Sequence, residues 1–266
     1  MPASLAIIGG GPAGLMAAET ARAAGIEVDV HDAMGSVGRK FLIAGKGGLN
    51  LTHSDDFQTF VSRYHRREPE LRRWLEAFDA TALRTMASGL GVETFVGSSG
   101  RVFPTDLKAA PFLRGWVRRL RAQGVRFHVH HRFTGWSSDG ALVFATPDGM
   151  IQVRADATLL AMGGGSWPQL GSDGAWVEVL RAQGIDISDL QPSNGGFEVD
   201  WSETMRLRHA GAPLKRVAAR LEDTDAALAG ECVISGYGLE GSLIYALSAP
   251  LRERIARDGE ALLHVD

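Results

Sequence analysis

Three glycines at positions 9, 11 and 14 stand in G-x-G-x-x-G spacing directly behind a short apolar run, and a carboxylate, Asp32, follows eighteen residues after the last of them. Glycine at the first position permits a tight turn. At the second it lets backbone approach a pyrophosphate, and at the third it lets helix and strand touch. Pro12 and Ala13 between them suit the first turn of a helix, where a missing amide costs nothing. A carboxylate at the end of the next strand accepts hydrogen bonds from both hydroxyls of a ribose and repels a 2′-phosphate. These residues predict a site for an adenine dinucleotide.

The motif carries weight only in its setting, which is a strand before and a helix after. Leu5–Ile8 is uncharged and apolar, as a strand covered on both faces should be. A helix is expected from Pro12 to about Ala24, its unpaired N-terminal amides facing the phosphates. Gly25 ends it, and Ile26–His31 forms the second strand. A second glycine-rich loop follows in two parts, Gly35–Lys40 and Ile43–Thr52. With Arg39, Lys40 and Lys46 it can wrap a polyanionic or planar ligand in backbone amides.

Residues 57–90 read as helical pieces with Phe60, Leu71, Trp74, Leu75, Phe78, Leu83 and Met86 as the buried set. A helix near Ala109–Gln123 turns Leu113, Val117 and Leu120 inward and leaves Arg118, Arg119 and Arg121 as a solvated face. From Val125 to Arg154 the texture becomes β-rich, broken by Ser138-Asp139-Gly140 and Pro147-Asp148-Gly149, which reads as a three-stranded antiparallel meander. Ala157–Ala161 is expected to be a buried strand leading into Met162-Gly163-Gly164-Gly165, with a helix near Asp173–Gln183. Beyond residue 190 the strands Phe197–Val199, Arg216–Leu221 and Cys232–Ser235 suggest a second, mostly β domain. The expected division is 1–190 and 191–266.

The 266 residues allow one or two domains. A formal charge of −3 gives no general reason to expect nucleic acid or an anionic membrane as partner. The single cysteine, Cys232, excludes an internal disulfide or a C-x-x-C pair. The apolar start lacks a basic leader and is broken by glycines after four residues, so it reads as a strand and not a signal peptide. A cytoplasmic location is the expectation. None of the eight histidines stands in a recognisable triad or metal-ligand spacing.

Taken in order, these motifs resemble the BaiN/RdsA-type (YhiN-like) family of FAD-dependent oxidoreductases. The resemblance runs from Gly9–Gly14 with Asp32, through Gly38-Arg39-Lys40, the Gly45–Thr52 loop and Gly100-Arg101-Val102-Phe103-Pro104. It continues to Met162-Gly163-Gly164 with Gly171-Ser172-Asp173-Gly174, then Gly230-Glu231 and Tyr237-Gly238-Leu239 with Gly241. It implies an α/β chain with a Rossmann-like FAD-binding domain of glutathione-reductase-like topology, interrupted by an inserted domain. Many relatives carry Arg-Cys-Asn where this chain has Gly48-Leu49-Asn50, so no thiol role applies at that place. Relatives also run on well beyond residue 266, and the chain is expected to be C-terminally truncated.

On this reading Gly9, Gly11, Pro12, Ala13 and Gly14 meet the pyrophosphate, Asp32 the adenosine ribose, and Arg39 and Lys40 the phosphates or adenine. Gly45, Gly47 and Gly48 border the flavin, Gly163 and Gly164 the far side of the dinucleotide, and Phe133 the adenine edge. The implied activity is hydride transfer through FAD to a small organic substrate, with NAD(P)H as a candidate donor. A non-catalytic FAD-binding sensor or scaffold, or an NAD(P)-only dehydrogenase, are the alternatives. A second G-x-G-x-x-G, Gly236–Gly241, is a candidate nicotinamide site, but Glu240 inside its turn would repel a pyrophosphate.

Overall fold

A computed structural model of the chain describes residues 2–44, 48–222, 224 and 226–266. The chain divides into two units, Met1–Ser188 and Asp189–Asp266.

The first unit opens with strand β1 (Ser4–Ile8), helix α1 (Pro12–Ala23) and strand β2 (Glu27–Asp32), then a short helix α2 (Arg39–Ile43). Strand β3 (Thr52–His53) precedes helices α3 (Phe57–Ser62), α4 (Glu68–Ala77) and α5 (Ala80–Gly89), and β4 (Thr94–Val96) and β5 (Arg101–Pro104) precede helix α6 (Ala109–Ala122). Strands β6 (Arg126–Val129), β7 (Arg132–Trp136), β8 (Leu142–Thr146), β9 (Gly149–Val153) and β10 (Ala157–Leu160) follow, then helix α7 (Trp176–Arg181).

The parallel sheet runs β10-β1-β2-β6. One face packs against α1 and α6 through Ile7, Leu15, Val28, Val30, Phe112, Trp116 and Leu120. The other face meets the antiparallel meander β7-β8-β9 through Ala6, Ile8, Leu142 and Phe144. β1 therefore has apolar side chains on both sides, which explains why its sequence does not alternate. Trp116 donates from Nε1 to Glu19 at 2.6 Å, and Arg119 pairs with the same carboxylate, tying α6 to α1.

Three expectations for this unit change. The first of the β-rich segments, β6, joins the parallel sheet beside β2, and the three after it make the meander. Ala157–Leu160 is largely exposed, because β10 is the edge of the sheet. In the helical stretch Val61 and Ala87 are the buried side chains. Leu71 and Leu75 are half-buried, while Trp74 is 70% exposed and Phe78 is also exposed.

The second unit is a five-stranded antiparallel sheet formed by β11 (Phe197–Glu198), β12 (Pro213–Leu221), β13 (Leu228–Ile234), β14 (Gly238–Glu240) and β15 (Leu263–Val265), in the order β11-β14-β13-β12-β15. Helix α8 (Glu203–His209) lies between β11 and β12 in the chain. Its core joins Ala219 and Cys232 to Leu243 and Ile244. After β14 the chain forms two helices in place of one continuous helix, α9 (Ser242–Ala246) and α10 (Ser248–Asp258). Pro250 explains the break, since its ring would strike the Ala246 carbonyl of a continuous helix, and it sits instead in the first turn of α10.

The second glycine motif is not a dinucleotide turn. Gly238–Glu240 is itself a strand, antiparallel to β13, with the Ser235 amide donating to the Gly238 carbonyl at 2.7 Å. A Cβ on Gly238 would lie 1.9 Å from the Phe197 carbonyl oxygen. That glycine serves the approach of β11, and Glu240 accepts from the Tyr237 hydroxyl at 2.8 Å.

Candidate functional site

A cleft of about 680 Å³ opens at the carboxyl ends of β1 and β2. It is of the size usual for small-molecule sites, roughly 300–1,000 Å³, and lies where open parallel sheets bind ligands. Gly9, Gly10, Gly11 and Pro12 form one wall, with Asp32, Arg39, Lys40, Phe133, Gly163 and Gly164 around it. A smaller recess bordered by Gly11, Pro12, Ala13, Met162, Gly163 and Trp176 adjoins the same turn.

The three glycines do different work. Gly9 has φ +109°, and a Cβ there would stand 2.2 Å from the Ala161 carbonyl oxygen. Gly14 does not line the cleft; its Cβ would lie 1.9 Å from the Gly9 carbonyl oxygen, beside Ile7. It is the contact of helix with turn. Gly11 has nothing within 4 Å on its Cβ side and is the N-cap of α1 without a side-chain cap. The first amides of α1 are thus left for a ligand.

Asp32 holds this turn from the neighbouring strand. Its Oδ2 accepts from the Gly10 amide at 2.9 Å and its Oδ1 from the Met34 amide at 2.8 Å. Burial pushes its pKa up, while those two amides and the Arg39 charge pull the other way. Each carboxylate oxygen keeps a lone pair for a second donor. The Gly38 amide donates to the Gly10 carbonyl at 2.9 Å, joining the two glycine loops. Gly38, at φ +69°, then starts α2 and brings Arg39 and Lys40 to the cleft. Arg39 Nε is buried without a partner, and Lys40 donates to Ser166 Oγ at 2.7 Å. An orphaned guanidinium N–H among open backbone amides suits phosphate oxygens.

Across the cleft Phe133 stacks edge-on against Trp136 with ring centroids 4.9 Å apart. Arg132 pairs with Asp173 at 3.0 Å. Trp176 donates to the Gly163 carbonyl at 3.1 Å, which fixes the loop after β10. Gly48 is not among the cleft residues; it packs against Leu107 and Phe103. Gly45 and Gly47 lie outside the described residues. His53 is tied down by Asp55 at 3.0 Å and by the Ser99 carbonyl at 2.9 Å.

His31 and His131 line the cleft and were not singled out by spacing. Parallel pairing sets His31 beside His128, nearly a hundred residues away in the chain. His31 is 2% exposed and stacks on Phe144 at 4.4 Å. Burial, reinforced by His128 and His131, lowers its pKa to about 4, so it is neutral at pH 7. Arg126 grips Asp29 through two bonds of 2.7 and 2.8 Å. That pairing, against the opposing effect of burial and with help from His128, lowers the Asp29 pKa to about 2. The local signal for this cluster was limited to His128 and His131 flanking a turn.

Comparison with known proteins agrees with this fold. The family described as HI0933-like protein Rossmann domain matches residues 3–214, and that described as HI0933-like protein barrel and H2TH domain matches residues 191–266. The 3-dehydro-bile acid delta(4,6)-reductase of Clostridium scindens is 27% identical over 265 residues, which are 98% of this chain and 64% of that protein. The chain therefore spans somewhat under two-thirds of that relative. Among solved structures, a flavocytochrome c3 fumarate reductase in its open conformation superposes with TM-score 0.59 at 17% identity, covering 81% of this chain and 47% of that one. The 3-ketosteroid-delta4-(5alpha)-dehydrogenase of Rhodococcus jostii RHA1 superposes with TM-score 0.53 at 17% identity, covering 70% and 54%. Both likenesses are of fold: a Rossmann-like FAD-binding domain, to which this chain adds an antiparallel sheet.

Proposed function

The chain belongs to the HI0933-like family, and from that membership together with the geometry of the cleft we propose that it is the FAD-binding part of a flavin-dependent oxidoreductase. One observation carries the reading. The glycine turn, the uncapped start of α1, the buried Nε of Arg39 and the carboxylate of Asp32 converge on one cleft. That is a pyrophosphate cradle with a ribose acceptor beside it.

The Gly11 amide and the uncapped start of α1, with Pro12 and Ala13, hold the pyrophosphate, while the Gly9 and Gly10 amides secure the turn on the His31 carbonyl and Asp32. Gly14 supports them from behind. Asp32 receives the ribose hydroxyls while keeping its hold on the turn, and Arg39 and Lys40 neutralise phosphate charge. Phe133 borders the adenine, and Gly163 and Gly164 the far side of the dinucleotide. When bound, FAD supplies the hydride chemistry, and the protein supplies orientation and electrostatics. We assign the donor role to NAD(P)H and the acceptor role to a small organic molecule. The bile-acid substrate in the name of the curated relative is the first compound to test. The partner is a small molecule and not nucleic acid or membrane, in a cytoplasmic protein. A charge of −3 and the single cysteine support this, and no described helix is long and apolar enough to cross a membrane.

The test is FAD titration followed by flavin fluorescence, then anaerobic mixing with NADH or NADPH. Saturable binding weakened by Gly11→Val, with donor-dependent bleaching of the flavin, supports the proposal. Binding without reduction by either donor supports a sensor or scaffold, and binding of NAD(P) without FAD overturns the flavoprotein reading.

A further inference from the structure

Three histidines that the cofactor reading leaves without a task meet at the carboxyl ends of β2 and β6. Strand pairing sets His31 beside His128, with ring centroids 4.6 Å apart. His130, at φ +58°, then turns the chain so that His131 folds back onto the pair, its ring 5.2 Å from that of His31 and 5.3 Å from that of His128. The Nδ1 atoms of His31 and His131 are 3.1 Å apart. One ligand nitrogen from each of the three residues lies within 4.8 Å of the other two.

The 3.1 Å between the two Nδ1 atoms is close to the spacing of two ligands on one metal ion. Two nitrogens bound tetrahedrally to zinc, at about 2.0–2.1 Å each, stand roughly 3.3–3.4 Å apart. The surroundings point the same way. His128 uses Nε2 to bond Asp29 Oδ1 at 2.7 Å, which fixes its ring and leaves Nδ1 as the ligand atom. A carboxylate behind a ligating histidine is the usual second layer of such sites. Asp29 is itself anchored by Arg126, so the support is rigid. His31 is clamped between His128 and Phe144, and its Nδ1 faces that of His131.

We propose that His31, His128 and His131 form a three-histidine site for a borderline transition-metal dication, zinc foremost, in the wall of the cleft. Because His31 and His131 face the cleft, the fourth coordination position opens into it. The metal would link the end of β2 to the β6–β7 turn. The proposal does not depend on FAD, and its test is read without the cofactor.

The metal-stripped chain is titrated with zinc by calorimetry, and separately with cobalt(II) by visible absorbance. Saturable binding near one equivalent and the intense d–d bands of tetrahedral cobalt are expected. His128→Ala and His131→Ala should each weaken zinc binding by at least about tenfold, and Asp29→Asn by about 10–100-fold. His209→Ala, on the second unit, should leave it unchanged. Circular dichroism checks that each variant is folded. If the histidine variants unfold, the cobalt spectrum of the parent and the Asp29→Asn affinity decide the matter. No zinc binding at micromolar concentration, an octahedral cobalt spectrum, or equal affinity in folded parent and variants would overturn the site.

Discussion

Gly14→Ala and Gly11→Ala change the same motif by one methyl group each, yet their effects should separate stability from binding. At Gly14 the added Cβ would fall 1.9 Å from the Gly9 carbonyl oxygen, where ordinary contact begins near 3.4 Å. Backbone must therefore give way by about 1.5 Å, between a helix and a turn that are both held by other contacts. Overpacking of this kind costs about 1–3 kcal/mol, and rigid backbone on both sides places it near about 3. For a unit of this size that corresponds to a fall in melting temperature of about 6–12 °C. At Gly11 the backbone is extended, φ −77° and ψ −178°, with no atom within 4 Å of the new methyl. Alanine there restricts the unfolded chain and should stabilise the cofactor-free protein by about 0.4–1 kcal/mol. The same methyl projects from the wall proposed to hold the pyrophosphate, so FAD affinity should fall at least about tenfold, or about 1.4 kcal/mol. Thermal melting without FAD and flavin-fluorescence titration read the two effects. The reasoning fails if Gly14→Ala melts with the parent, or if Gly11→Ala binds FAD as tightly as the parent does.

Asp32→Asn places an amide nitrogen against one of two backbone donors, Gly10 or Met34, and loses a charge-assisted hydrogen bond. A loss of about 1.5–3 kcal/mol is expected in urea denaturation of the cofactor-free chain, together with weaker FAD binding; unchanged stability would remove Asp32 from the turn. Phe112→Ala should cost about 3–5 kcal/mol, because its side chain is 1% exposed at the centre of the helix-side core, whereas Trp74→Ala should change stability by less than about 0.5 kcal/mol. Comparable losses in a denaturation series would contradict the burial pattern. Trp116→Phe keeps most of the ring but removes the 2.6 Å bond to Glu19, and should cost about 1.5–3 kcal/mol; a melt identical to the parent would show that bond to be worthless.

Local chemistry in the sequence determined the dinucleotide unit. Backbone approach, helix start and the acid at the strand end all depend on residues within one strand–turn–helix–strand stretch, and Gly9, Gly11, Asp32, Arg39 and Lys40 meet at one cleft as that stretch requires. The meander hairpins and the second β unit were legible for the same reason, since alternation and turn residues are short-range signals. What lay beyond reach depends on neighbours far away in the chain. Trp74 shares helical spacing with Leu71 and Leu75, but spacing defines a stripe and not the surface that covers it. β10 has the apolar composition of a buried strand and is exposed because the sheet order makes it an edge. Gly236–Gly241 matches a phosphate motif letter for letter, yet antiparallel pairing with β13 and the close approach of β11 turn its glycines to strand packing. His31 and His128 have no common spacing in the sequence; the parallel register of β2 with β6 makes them neighbours, and a left-handed residue at His130 brings His131 to join them. Sequence specifies which side chains a segment can offer, and the register between segments decides which of them meet.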